Sequence, residues 1–165
     1  PDKLKEQLQN STAEILFGPR SNAKSENMYI ETKLPPNLSK IYVTVDRVQT
    51  LRPDINIPLE INGNAKYYIE ELEGKADDII KTSSGISVLK SKNNINYLGS
   101  WLDGNGFDEL FISLCNKINL DYTIMPYGVR RRETSDCYFW FNYNNNEIKT
   151  IIGSIKGADF VKIKK

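Results

Sequence analysis

The sequence predicts an α/β fold that gives way, near residue 126, to a small antiparallel β domain. Three observations predict it. A helix-prone polar segment, Lys3 to Gln9, precedes a short apolar run, Ala13 to Phe17, that Gly18-Pro19 stops. Further on, Phe107, Leu110, Phe111, Leu114 and Ile118 recur at the three-and-four spacing of one helix face. From Met125 the pattern changes to short strands divided by turns, so residues 1–125 are read as the first domain and 126–165 as the second.

Each element has a local cause. Arg20 to Asn27 is polar, small and charged, and reads as a surface loop. Pro35-Pro36 stiffens the next connection, after which Ile41, Val43 and Val45 alternate with Tyr42, Thr44 and Asp46 as in a half-buried strand. Over 52–78, Pro53, Pro58, Gly63 and Gly74 cut the chain into segments too short for long helices. Within them Glu70, Glu71, Glu73, Asp77 and Asp78 read as a solvated acidic face. Ile86 to Leu89 and Ile95 to Leu98, separated by Lys90 to Asn94, form a predicted hairpin. Gly104-Asn105-Gly106 introduces the amphipathic helix, with Asp108 and Glu109 near its positive end. Strands follow at Gly128 to Glu133, Cys137 to Tyr143 and Ile148 to Ile152. Asn144-Asn145-Asn146 is read as a turn, because asparagine tolerates left-handed geometry. Val161 to Lys165 alternates apolar and basic residues, as an edge strand guarded by lysines does.

Composition removes several function classes. With 22 basic and 21 acidic residues among 165, the formal charge of +1 argues against a dedicated nucleic-acid binder. No apolar stretch approaches the roughly 20 residues of a bilayer helix, so no membrane partner is expected, and a cytoplasmic location is. Histidine is absent, which excludes Ser-His-Asp and Cys-His triads within this chain. Cys115 and Cys137 are far apart and each lies in an apolar run, so they read as buried free thiols and no metal or cofactor site is expected. The opening Pro1-Asp2-Lys3 reads as a cut end.

Three stretches are candidates for chemistry. Glycoside hydrolysis needs two carboxyl groups about 5 to 10 Å apart. Glu70-Glu71 and Asp77-Asp78 are sequence neighbours in a polar stretch, and solvation is the expected state of all four. Gly18-Pro19-Arg20 follows a strand, where a loop can cradle an anion, yet it lacks the glycine spacing of a phosphate loop and its proline removes a donor. A structural turn with Arg20 bridging to a carboxylate or a neighbouring subunit is the expectation. In Cys137 to Tyr143, alternation puts Cys137, Phe139, Phe141 and Tyr143 on one side and Tyr138, Trp140 and Asn142 on the other. Tyr138 and Trp140 are the candidates for stacking on a sugar, against the plainer reading of a strand covered on both faces. Arg130 and Arg132 share a face one strand earlier, where Glu147 or solvent is their expected partner.

Taken in order, these motifs resemble the C-terminal part of glycoside hydrolase family 42 β-galactosidases. The resemblance rests on Ile15 to Ser21 as a strand with a Gly-Pro-Arg loop, Leu34-Pro35-Pro36, and Val48 to Pro53. It continues through Tyr97-Leu98-Gly99-Ser100-Trp101-Leu102 before the helix, then Pro126 to Arg132 and Phe139 to Tyr143. The chain departs from the family pattern at Lys92-Asn93-Asn94, where a glycine-containing turn is usual.

The resemblance implies a part of a class I glutamine-amidotransferase-like, Rossmann-like trimerisation domain followed by a terminal β domain. It implies no cofactor, other copies of the parent chain as partners in a homotrimer, and a galactoside substrate bound by the parent's barrel. That barrel carries both catalytic glutamates of a retaining hydrolase, so no catalytic residue is assigned in this chain. Gly18, Pro19, Arg20 and Ser21 are the residues expected nearest a subunit boundary. The alternatives are a stand-alone carbohydrate-binding or protein-interaction module and, third, a small independent enzyme.

Overall fold

The computed structural model describes residues 2–25, 27–30 and 40–165, so Leu34-Pro35-Pro36 lies outside the described residues. It divides into two compact units, Pro1–Leu120 and Asp121–Lys165.

The first unit begins with α1 (Asp2–Asn10) and β1 (Ile15–Phe17). Next come β2 (Thr44–Thr50), β3 (Asn56–Pro58), β4 (Asn64–Glu73), β5 (Asp77–Lys81), β6 (Ser87–Lys92), β7 (Ile95–Leu98), β8 (Ser100–Leu102) and α2 (Gly104–Lys117). One sheet has the order β1-β7-β6-β5 and the other the order β2-β4-β3, with β8 also paired to β4. Among the described residues β1 and β7 form the parallel pair, and the other ladders are antiparallel.

This overturns the α/β, Rossmann-like expectation: the chain is mostly β. A parallel sheet of that kind needs a crossover helix between successive parallel strands. Here β1 reaches its parallel partner β7 only after five intervening strands, and α2 follows the last strand of the unit. The proline- and glycine-cut segment 52–78 is where the difference arises, because its short pieces form β3, β4 and β5.

The sheets share their chain at Gly99. Its N–H donates to the Val88 carbonyl of β6, while its own carbonyl accepts from the Glu70 N–H of β4 (2.8 and 2.7 Å). A Cβ at Gly99 would lie 2.8 Å from Leu72 Cδ2 and 3.1 Å from both Glu70 Cβ and the Glu70 carbonyl oxygen. The Tyr97 to Leu102 motif is therefore a strand that changes sheets at a point where a side chain has no room.

Behind that crossing lies a core of Leu59, Ala65, Ile69, Val88, Leu98 and Leu110, with Phe107 and Leu114 of α2 packed on it. Phe111 and Ile118, on the same predicted stripe, are exposed. The helix starts at Asp103, whose carboxylate accepts from the Gly106 N–H (2.9 Å) and from Asn64 Nδ2 (2.8 Å). Although burial pulls the other way, these bonds hold the Asp103 carboxyl below its ordinary pKa. A second core gathers Ile41, Val43, Val45, Leu72, Ile95 and Tyr97. The β6–β7 hairpin turns through Asn93 at φ 56°, so asparagine takes the left-handed position there that favours glycine.

The second unit holds β9 (Val129–Glu133), β10 (Cys137–Asn142), β11 (Ile148–Thr150), β12 (Gly153–Ile155) and β13 (Asp159–Lys164). Its three-stranded sheet has the order β13-β10-β9, and β11 pairs with β12. Asn144 to Asn146 do not turn the chain by left-handed geometry, since none has a positive φ. Side-chain bonding does that work instead. Buried Asn142 reaches the carbonyls of Asn146, Ile155 and Lys156 through Nδ2 (2.8, 3.1 and 3.0 Å). Its Oδ1 accepts from the Asn144 N–H (3.0 Å), and Asn144 Nδ2 donates to the Tyr127 carbonyl (2.8 Å).

Gly99→Ala is expected to destabilise the chain by about 1–3 kcal/mol, the usual cost of forcing a methyl into a packed site. A lower midpoint in urea unfolding followed by circular dichroism checks this.

Candidate functional site

The site is built where β1 ends. Pairing of Phe17 with Tyr97 sets the Gly18 to Ser21 loop beside β7. The Ser21 N–H and Oγ both donate to the Gly18 carbonyl (3.3 and 2.8 Å), closing a tight turn. Arg20 and Asn22 then take left-handed φ values of 61° and 56°, a geometry that asparagine tolerates and that arginine keeps only when its surroundings hold it there.

Glu70 of β4 supplies that hold. One carboxylate oxygen, Oε1, accepts from the Arg20 N–H (3.2 Å) and from the Tyr68 hydroxyl (3.0 Å), while Oε2 accepts from the Tyr97 hydroxyl (2.7 Å). Only 1% of Glu70 is exposed, so the expectation of a solvated carboxylate is overturned. The strand's own alternation could have signalled it only with the register in hand, because Ile69, Glu70 and Leu72 are all buried and β4 is covered on both faces. Burial pushes the Glu70 carboxyl above its ordinary pKa, against the hydrogen bonds from Tyr97, Tyr68 and the Arg20 backbone. Burial also raises both phenols, with the charge of Glu70 adding to it, and Tyr68 reaches about 12.

The Arg20 side chain remains exposed, with its guanidinium 5.8 Å from the Tyr68 ring centroid. The loop therefore presents one fixed cation from an anchored backbone.

The other acidic residues of the stretch lie outside this network. Glu71, Glu73, Asp78 and Lys90 line an open polar cleft of about 370 Å³. Asp78 pairs with the buried Lys90 (2.5 Å) and with Lys81 (3.2 Å), and the Lys90 bond, opposed by partial burial, holds its carboxyl down at about 2. Glu71 accepts from Gln49 and faces Arg47. No group of three or more histidine, cysteine or acidic residues that could hold a metal occurs among the described residues.

Tyr138 and Trp140 lie on the inner side of β10. Trp140 is 3% exposed in a core with Val129 and Ile155, so its ring cannot be laid against a sugar from outside. Tyr138 is half-buried, with Arg131 and Lys165 at 5.0 and 5.2 Å from its ring centroid. Arg130 and Arg132 face Phe141 and Phe139 across the ladder and pair with no carboxylate, Glu147 included, among the described residues.

Against solved structures, the chain superposes along its whole length on a β-galactosidase from the psychrophilic Marinomonas ef1, with a TM-score of 0.89 and 27% identity, covering 27% of that chain. A β-galactosidase of Thermus thermophilus is 26% identical over 164 residues, covering 94% of this chain. The chain is a relative of the β-galactosidases. The GH42 β-galactosidase Gan42B shares the fold, with a TM-score of 0.72 at 15% identity over 99% of this chain. No family model matches. The chain spans about a quarter of the length of the curated β-galactosidases it matches. No helix among the described residues is long and apolar enough to cross a membrane.

Glu70→Ala is expected to strip protection from the Arg20 amide in hydrogen exchange and to cost on the order of 2–3 kcal/mol, because two phenols and one backbone N–H lose their acceptor. Tyr97→Phe, which removes one donor and leaves the Arg20 bond, is expected to keep that amide protected.

Proposed function

We propose that this chain serves as a non-catalytic portion of a β-galactosidase acting on terminal β-D-galactosides. Within such an enzyme the Gly18 to Ser21 loop contributes to trimer assembly and to closure of the active site. The observation that carries the reading is the likeness to the Marinomonas enzyme over the whole of this chain and about a quarter of that one. It is supported by a loop whose backbone Glu70 fixes from within while Arg20 stays at the surface. The two glutamates of a retaining hydrolysis, one acid/base and one nucleophile, then belong to the enzyme's barrel. The runner-up, a stand-alone sugar-binding module using Tyr138 and Trp140, is weakened by the burial of Trp140.

Sedimentation velocity on the chain tests the assembly role. The reading predicts a species of three times 18.9 kDa and a shift toward monomer in Arg20→Ala. A chain that stays monomeric at high protein concentration contradicts it.

A further inference from the structure

We infer that the outer face of the β9-β10-β13 sheet is a docking surface for an acidic polypeptide. Residues directly opposite one another in antiparallel strands project to the same side. The register therefore sets Arg132, Phe139 and Lys162 in one row and Arg130, Phe141 and Phe160 in the next. Trp140, Tyr138, Val161 and Ile163, on the alternate positions, belong to the core of this unit, so the two rows face away from it. Tyr143 extends the aromatic line beyond the strand. It is 70% exposed and Phe160 53%, while Phe139 and Phe141 are partly buried beside them.

Charge narrows the occupant. The two rows contain three cations and no carboxylate, and none of the three is in an ion pair among the described residues. Lys162 lies 5.5 Å from the Phe139 centroid, and the Arg130 guanidinium donates to the neighbouring Val129 carbonyl. A second copy presenting the same face would bring like charges together, so the partner is anionic and different from this face.

Ring geometry narrows it further. Phe139 and Phe141 are 6.3 Å apart with planes 17° apart, and Phe141 and Tyr143 are 6.1 Å apart with planes 22° apart. Rings this close form one continuous apolar line along β10, with no gap between them wide enough for a side chain. A polynucleotide is disfavoured as the partner by the formal charge of +1. Apolar side chains of a polypeptide can lie along this line while neighbouring carboxylates reach the arginines and the lysine. Aromatic residues with arginine are also the composition of protein-interface cores.

The test is fluorescence anisotropy of the full chain with a labelled peptide of alternating glutamate and leucine, beside labelled oligothymidylate and a sulfated galactan. Saturable binding of the peptide that weakens with added salt is expected, and about tenfold loss in Phe160→Ala and in Arg132→Glu. Ile151→Ala, at an exposed position outside the two rows, is expected to bind like the parent. Circular dichroism verifies that each variant is folded. The inference is overturned if the peptide fails to bind, if oligothymidylate or the galactan binds as tightly, or if folded Phe160→Ala and Arg132→Glu bind unchanged.

Discussion

A carboxylate sealed from water must be satisfied by whatever groups the fold brings to it, and in Glu70 one strand neighbour and two distant segments meet that need. Tyr68 comes from the same strand, Tyr97 from the other sheet, and the Arg20 N–H from the loop after β1. The cost of burial shows in the raised pKa of the carboxyl, and the hydrogen bonds offset part of it. One side chain thereby ties both sheets of the first unit to the loop. Gly99 makes this possible, since the strand that carries Tyr97 crosses between sheets against the backbone of Glu70.

Local patterns were legible where one residue type had one physical use. The Gly18-Pro19 stop, the helix over 104–117 and the lysine-guarded edge strand at the C-terminal end follow from turn chemistry, helix spacing and strand alternation. The arrangement of strands was not legible, because short apolar runs carry no mark of parallel or antiparallel pairing. Glu70 was hidden for a related reason. Its burial depends on β7 and the Arg20 loop closing over it, and neither is near it in sequence. Alternation did separate the two sides of β10 correctly, but it does not say which side meets the core; Tyr138 and Trp140 lie inward and Phe139 and Phe141 outward.

The two units solve the same polar problem differently. The first uses a charged acceptor and pays for it in desolvation. The second uses neutral asparagines, with Asn142 linking β10 to the Asn146, Ile155 and Lys156 backbone. Gly157 belongs to that arrangement, because a Cβ there would meet the Asn145 carbonyl oxygen at 2.0 Å. Such a framework leaves the outer face of the sheet free to carry residues chosen for contact and not for packing. Contact is the role proposed above for the Arg20 loop and for this outer face, in a chain that spans about a quarter of the length of the β-galactosidases it matches.

The central claim, that Glu70 is sealed from water and coupled to the Arg20 loop, is tested most directly by a carbon-13 titration of its side-chain carboxyl. A group whose folded pKa is raised gives stability below its ordinary value and loses it as pH rises through the folded value. The account predicts that Glu70 titrates above the ordinary glutamate range, that the Arg20 amide shift follows the same curve, and that stability falls across that window. Titration of Glu70 at the ordinary value, with the Arg20 amide unmoved, would contradict it.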